Sequence, residues 1–258
     1  MNIDMISTQL LYTTVPIWVE KEDGSQSSGT GFFFSFPDKN DNNMSIPLLV
    51  TNYHVVKDVD KGVFEFIGDK NGLPERNNKI HVEFDHSIIN SIEDLNIDLI
   101  AIPIAPIMNE LEQSGKKVFF RSVFPDMLPN KDQIDNLAAI EEITFIGYPS
   151  GLYDSYNSSP IVRRGITATP VWNNFNNEPC FLIDAGVYPG SSGSPVFIYN
   201  EGSYATSNGI NIGSRLLFLG VLTESILRSE QLNRAYLGLG KVINSIETIK
   251  YLEKLVDY

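Results

Sequence analysis

The chain has one cysteine, Cys180, in 258 residues. No intramolecular disulfide is open to it, so burial alone must hold its core, and a reducing, cytoplasmic setting is expected. Flanked by Pro179 and the apolar Phe181-Leu182-Ile183, Cys180 reads as a small buried hydrophobe, not a nucleophile. Histidine is nearly as scarce: His54, His81 and His86 are the three present. His81 and His86 stand five apart without a clear third ligand, so no metal and no cofactor is expected, and both read as exposed residues near a strand end. Basic residues are short, with 19 Lys+Arg against 32 Asp+Glu and a net charge of −13. Phosphate neutralisation needs a basic surface, so nucleic acid is excluded as the working ligand. Long apolar runs are missing too; the longest, around 99–108, is broken by Pro103 and Pro106, and no membrane partner is expected. The first residues carry neither a basic segment nor the apolar stretch of a secretory leader. No internal repeat and no low-complexity tract occurs.

What is present favours β structure. Fifteen Phe and 11 Tyr accompany short Val/Ile-rich runs punctuated by Gly, Pro and Asn. Strand-like runs fall at 10–19, 29–36, 46–52, 63–67, 80–84 and 99–104, and again at 143–147, 162–168, 180–184, 195–199, 216–223 and 236–239. Residues 38–43 and 68–78 read as polar loops. Between 106 and 142 the pattern weakens to a linker with about one helical turn. After Asn244, Ile246, Ile249, Leu252 and Leu255 fit the apolar face of an amphipathic helix. A chain of this length can bury one large or two small cores.

The chemistry concentrates in Tyr188-Pro189-Gly190-Ser191-Ser192-Gly193-Ser194-Pro195-Val196-Phe197. A serine hydroxyl is a poor nucleophile at neutral pH. It needs a base for its proton and backbone N–H groups aimed at the developing oxyanion. Glycines on both sides of Ser192 permit a tight turn with bare N–H groups close to a substrate. Alone, the stretch equally suits an ordinary turn between strands. Two further residues change that. His54 ends an apolar run, Ile46 to Val56, where a strand can deliver an imidazole as a general base. Asp98 stands at the mouth of the apolar run Leu99 to Ile104, where a carboxylate is costly unless hydrogen-bonded, as by the second nitrogen of an imidazole. Asp94, the rival, lies in a polar stretch and reads as surface.

The order His, Asp, Ser is that of chymotrypsin, not of subtilisins or α/β-hydrolases. The chain resembles trypsin-like (chymotrypsin-fold) serine peptidases, more the bacterial Deg-type and glutamyl-endopeptidase branches than the digestive enzymes. Gly29-Thr30-Gly31-Phe32, Val50-Thr51-Asn52-Tyr53-His54-Val55-Val56, Asp98-Leu99-Ile100-Ala101, Phe145-Ile146-Gly147-Tyr148-Pro149, Arg164-Gly165-Ile166, Asp184 to Val196 and Leu219-Gly220-Val221-Leu222-Thr223 carry the resemblance, seven matches in order.

That resemblance implies an all-β fold of two packed six-stranded antiparallel β-barrels with a C-terminal α-helix. Residues 1–110 would form the barrel carrying His54 and Asp98, 111–142 the linker, 143–243 the barrel carrying Ser192, and 244–258 the helix. It implies a serine endopeptidase acting on protein or peptide substrates. Ser192 attacks, His54 shuttles the proton, Asp98 fixes the imidazole, and the N–H groups of Gly190 and Ser192 form the oxyanion hole. The pocket for the residue before the cut would be lined by Gly186, Val187, Tyr188, Thr223, Glu224 and Ser225. Gly186 removes the acidic floor of trypsins, and Leu222 stands where the glutamyl branch has a histidine, so a small or medium apolar side chain is expected. Ser191 replaces the aspartate that pairs with a cut N-terminus in secreted trypsins. Control would instead come from constitutive order or from an activating partner that orders the loop 186–193. A catalytically idle scaffold of the same fold, or an esterase using the same triad, are the rival readings.

Overall fold

The computed structural model describes residues 2–39, 44–88, 97–206, 209–230 and 233–256, with backbone alone at 227–230 and 233–236. Asp94 and part of the 38–43 loop lie outside the described residues. The N-terminal half runs through α1 (Ile6–Leu10), β1 (Thr14–Lys21), β2 (Gln26–Pro37), β3 (Ser45–Thr51), the single turn α2 (Tyr53–Val56), β4 (Val59–Lys70), β5 (Leu73–Phe84), β6 (Ile100–Pro103), α3 (Ala105–Gln113), β7 (Val118–Phe119) and α4 (Lys131–Asp135). The C-terminal half holds β8 (Glu142–Gly147), β9 (Ile161–Thr167), β10 (Cys180–Asp184), β11 (Pro195–Asn200), β12 (Ser203–Thr206), β13 (Gly209–Ile212), β14 (Arg215–Glu230), β15 (Asn233–Asn244) and α5 (Ser245–Leu255).

The second set closes into a barrel in the order β10-β15-β14-β11-β8-β9, with six strands as expected. The first forms an antiparallel sheet in the order β5-β4-β1-β2-β3-β6, and β7 adds to β4 as a seventh strand. The expected count of six misses β7, which lies within 111–142, the stretch read as a linker. The loop expected at 68–78 is mostly strand. β4 and β5 meet in a two-residue turn at Asn71 and Gly72, with φ of 57° and 78°. Both φ values suit the tight hairpin turn that Asn-Gly favours. The strand expected from residue 10 begins at Thr14, because Leu10 closes a helical turn.

The buried apolar side chains form three cores. One lies inside the N-terminal sheet around Phe33, Phe64 and Phe66, and one inside the C-terminal barrel around Phe145, Phe181 and Ile183. The third joins them: Phe32, Phe34 and Phe36 of β2 meet Phe197 and Phe218 across the interface. Alternation along β2 sends Phe33 one way and its neighbours the other, as the pleat dictates. Phe218 stands with ring centroids 5.6 Å from Phe32 and 5.8 Å from Phe197. Each such buried ring contributes about 1.5–3 kcal/mol. Asn244 caps α5, its Oδ1 accepting the Glu247 N–H at 2.9 Å. Thr248, Tyr251 and Leu252 bury against the shared core, whereas Ile246, expected on that face, is exposed. Among the described residues, no helix is long and apolar enough to cross a membrane.

Candidate active site

β3 pairs with β6 so that Thr51 faces Ile100. Asp98, two residues before Ile100, is thereby set opposite the turn α2 that carries His54. The two side chains meet: His54 Nδ1 lies 2.7 Å from Asp98 Oδ2, and the His54 backbone N–H donates to Oδ1 at 3.0 Å. The Thr223 hydroxyl donates to the same Oδ2. Asn52 Nδ2 fixes the Asp98 backbone, donating to its carbonyl at 2.7 Å. Burial raises the Asp98 pKa, but the hydrogen bond and charge of His54 and the bond from Thr223 outweigh it and hold the carboxyl below its ordinary range. With its Nδ1–H spent on Asp98, a neutral His54 ring presents an unprotonated Nε2.

Ser192 comes from the other barrel. Its loop is sewn to β2 through Thr30: the Thr30 N–H donates to Ser192 O at 2.9 Å, and its hydroxyl donates to Gly190 O at 3.0 Å. The same hydroxyl accepts the Tyr148 N–H at 3.1 Å, and the Thr51 hydroxyl donates to Thr30 O at 2.8 Å. Gly193, at φ 88°, must be glycine: a Cβ there would lie 1.9 Å from Thr30 O. The Ser192 hydroxyl donates to Thr223 O at 2.8 Å, and no hydrogen bond joins it to His54. Thr223 is therefore the hinge of the site, its hydroxyl on Asp98 and its carbonyl on Ser192.

The backbone N–H groups of Ser191, Gly193 and Ser194 are spent on Tyr188 O, Leu222 O and Ser191 O. Those of Gly190 and Ser192 donate to nothing among the described residues. Pro189 O accepts from Ser150 N at 2.6 Å, so the trans peptide turns the Gly190 N–H away from Ser150. Two unspent donors beside a serine hydroxyl, its own N–H and that of the residue two before it, are what an oxyanion hole requires.

Of the expected pocket residues, Val187 is buried in the barrel core, Tyr188 is exposed, and Gly186 sits at φ 59°. Thr223 is committed to Asp98. Glu224 faces Lys241 at 3.6 Å, and Lys241 is also paired with Glu178. These last residues, with His54, Asp98 and Thr223, border a cleft of ≈ 660 Å³. A hollow of ≈ 680 Å³ between Trp18 and Phe84 brings no nucleophile and base together, so volume alone does not locate the site. Cys180 is buried at the cleft edge, and burial pushes its thiol above the ordinary range. His81 Nε2 lies 2.9 Å from the buried Glu65, and His86 sits in an exposed turn; among the described residues no cluster of three metal-ligating side chains forms. Thr30, Thr51 and Asn52 escaped notice as functional residues because threonine and asparagine carry no chemistry of their own. Their place inside the matched stretches around Gly29 and His54 was the available signal.

Two packed β units with a histidine–aspartate pair on one and a glycine-flanked serine loop on the other define the chymotrypsin-fold class. The chain belongs to the family of trypsin-like peptidase domains, whose pattern matches residues 29–204. No curated protein sequence matches it significantly. Solved structures share the fold. An HtrA-type protease AlgW variant with a tripeptide aligns at TM-score 0.55 and 14% identity, over 100% of this chain and 64% of that one. AlgW with a tripeptide aligns at 0.53 and 15%, over 96% and 62%. The serine endoprotease from Yersinia pestis aligns at 0.52 and 16%, over 100% and 67%. The chain thus spans about two thirds of the length of these proteins.

Proposed function

We propose that the chain is a serine endopeptidase that hydrolyses peptide bonds in protein substrates through Ser192, His54 and Asp98. The observation that carries this is the His54–Asp98 pair at 2.7 Å, joined through Thr223 to Ser192, whose own N–H and that of Gly190 are unspent. In the reaction, rotation about χ1 takes the Ser192 hydroxyl from Thr223 O to His54 Nε2. Ser192 Oγ then bonds to the substrate carbonyl carbon as its proton passes to Nε2. The oxyanion is met by Gly190 N–H and Ser192 N–H. Collapse expels the amine, which takes the proton from His54, and water repeats the sequence to free the acid. Asp98 holds the imidazole tautomer and stabilises the imidazolium.

The structures with bound peptides among the relatives support a peptide substrate. A reducing, cytoplasmic setting is part of the proposal and rests on the single cysteine. The alternative, an idle member of the fold, draws on the Ser192 hydroxyl being bonded to Thr223 O. Labelling with a fluorophosphonate serine-hydrolase probe separates the two. Native protein labels at Ser192, heat-denatured protein and Ser192→Ala do not, and peptide hydrolysis follows the label. Native protein that neither labels nor cleaves would sink the enzyme reading in favour of the idle one.

A further inference from the structure

The site's specificity was expected to be apolar because Gly186 removes an acidic floor. Arg163, 23 residues upstream of Gly186, changes the chemistry of that floor. In the β8–β9 ladder Arg163 is paired with Phe145, whose ring is in the interior core of the C-terminal barrel. Directly paired residues share a face of the sheet, so Arg163 points inward, at the barrel end where Ala185 and Val187 also bury. Arg164 points outward and meets Glu142 at 2.6 Å. Arg163 has no such partner: among the described residues its side chain makes no ion pair and no hydrogen bond. Its one contact of note is with the Tyr188 ring, 5.2 Å from the guanidinium carbon to the centroid. Asp184, at the end of β10, is exposed and forms no ion pair with it.

The guanidinium comes up directly beneath Gly186. A Cβ built on Gly186 would lie 2.7 Å from Arg163 Nη2. Across from it, Gly238 of β15 accepts the Gly186 N–H at 2.9 Å and likewise carries no side chain. The floor of the pocket for the residue before the cut is therefore bare backbone with an arginine head beneath it. A half-buried guanidinium in a chain of net charge −13 would ordinarily find a carboxylate. Among the described residues, no carboxylate pairs with this one.

We propose that Arg163 is the specificity-determining residue of this site, and that the substrate class is polypeptides cut after an acidic residue, Glu or Asp. This rests on the peptidase reading and deepens it. The test uses a matched set of internally quenched peptides that differ only in the residue before the scissile bond: Glu, Asp, Gln, Leu or Arg. Wild-type kcat/KM should favour Glu over Gln by about 10- to 100-fold, the factor a charged hydrogen bond supplies. Arg163→Ala should collapse that ratio to near unity. Arg163→Lys, which keeps the charge and suits a site that tolerates no truncation, should retain part of it. Arg164→Ala, on the outer face, should leave the ratio as in wild type. Wild type that prefers Leu or Arg, or an Arg163→Ala protein that keeps the Glu over Gln ratio, would overturn the inference while the peptidase reading stands. Failure of every peptide together with failure of fluorophosphonate labelling overturns both.

Discussion

Thr30→Val removes one hydroxyl and keeps the shape of a fully buried side chain. That hydroxyl makes two bonds, to Gly190 O at 3.0 Å and from Tyr148 N at 3.1 Å. Valine satisfies neither. Each orphaned buried group costs about 1–3 kcal/mol, so the fold should lose about 2–6 kcal/mol, a large part of the ~5–15 kcal/mol typical of a domain. Catalysis should suffer separately. Without the tether on Gly190 O, the Gly190 peptide is held by the Ser150 bond to Pro189 alone. Outright loss of one oxyanion donor costs about 10²–10³ in kcat, so a loosened donor should cost between about tenfold and that limit, with KM little changed. Thr30→Ser keeps the hydroxyl and should recover most of both losses. Urea denaturation reads the stability, and the rate of fluorophosphonate labelling together with peptide hydrolysis reads the site. A Thr30→Val protein that is as stable as wild type and labels as fast would refute the claim that this hydroxyl organises the loop.

Asp98→Asn should lower kcat by about 10³–10⁴-fold, because the amide no longer enforces the imidazole tautomer. The Asp98 carboxyl is depressed in the folded state, so its contribution to stability is present above the ordinary carboxylate pKa of about 4 and fades as pH falls through the lower folded value; the stability gap between wild type and Asp98→Asn should be level above about pH 4 and shrink below it. The Ser191 hydroxyl is buried without a hydrogen-bond partner, so Ser191→Ala should leave the denaturation midpoint unchanged or raise it by up to about 1 kcal/mol equivalent, whereas Ser191→Asp should lower it by several kcal/mol through an uncompensated buried charge. A drop of more than ~1 kcal/mol for Ser191→Ala would show that the hydroxyl has a partner after all. Gly193→Ala drives a Cβ into Thr30 O and should abolish labelling by displacing the Ser192 loop from β2.

The parts of the site that were legible in the sequence are those whose chemistry is unusual for their surroundings. A carboxylate at the mouth of an apolar strand, a histidine at the end of another and a serine between glycines each stand out locally. What stayed hidden depends on pairing across long sequence distances. Thr30 reaches Gly190 over 160 residues, and Thr223 reaches Asp98 over 125. The buried carboxylate of Glu65 collects Lys79, His81 and Tyr153, none of them adjacent in the chain. That Arg163 and Arg164 lie on opposite faces follows only from the ladder with β8. The misread loop at 68–78 is a different failure. Its composition is polar because β5 is largely exposed between Glu75 and Asn78, and exposure erased the alternation that marks a strand. Asn71-Gly72 was the surviving signal.

The nucleophile loop decides between constitutive order and a switch. Its glycines make a flip of the Pro189–Gly190 peptide conformationally cheap. Hydrogen bonding makes it expensive. A flip would take Pro189 O from Ser150 N, where it accepts at 2.6 Å, and would turn it toward the position of the Gly190 donor. That exchange forfeits about 0.5–1.5 kcal/mol for the bond and leaves Ser150 N without an acceptor. The next carbonyl along, Gly190 O, is anchored by the Thr30 hydroxyl from the other barrel, and Ser192 O by the Thr30 N–H. The loop's orientation is thus set by contacts across the barrel interface. The loop itself carries no carboxylate beside Ser192 to await a cationic partner, since Ser191 stands at that position. On the proposed mechanism, the energy balance favours an open oxyanion hole without a partner and leaves one step for control, the transfer of the Ser192 hydroxyl from Thr223 O to His54.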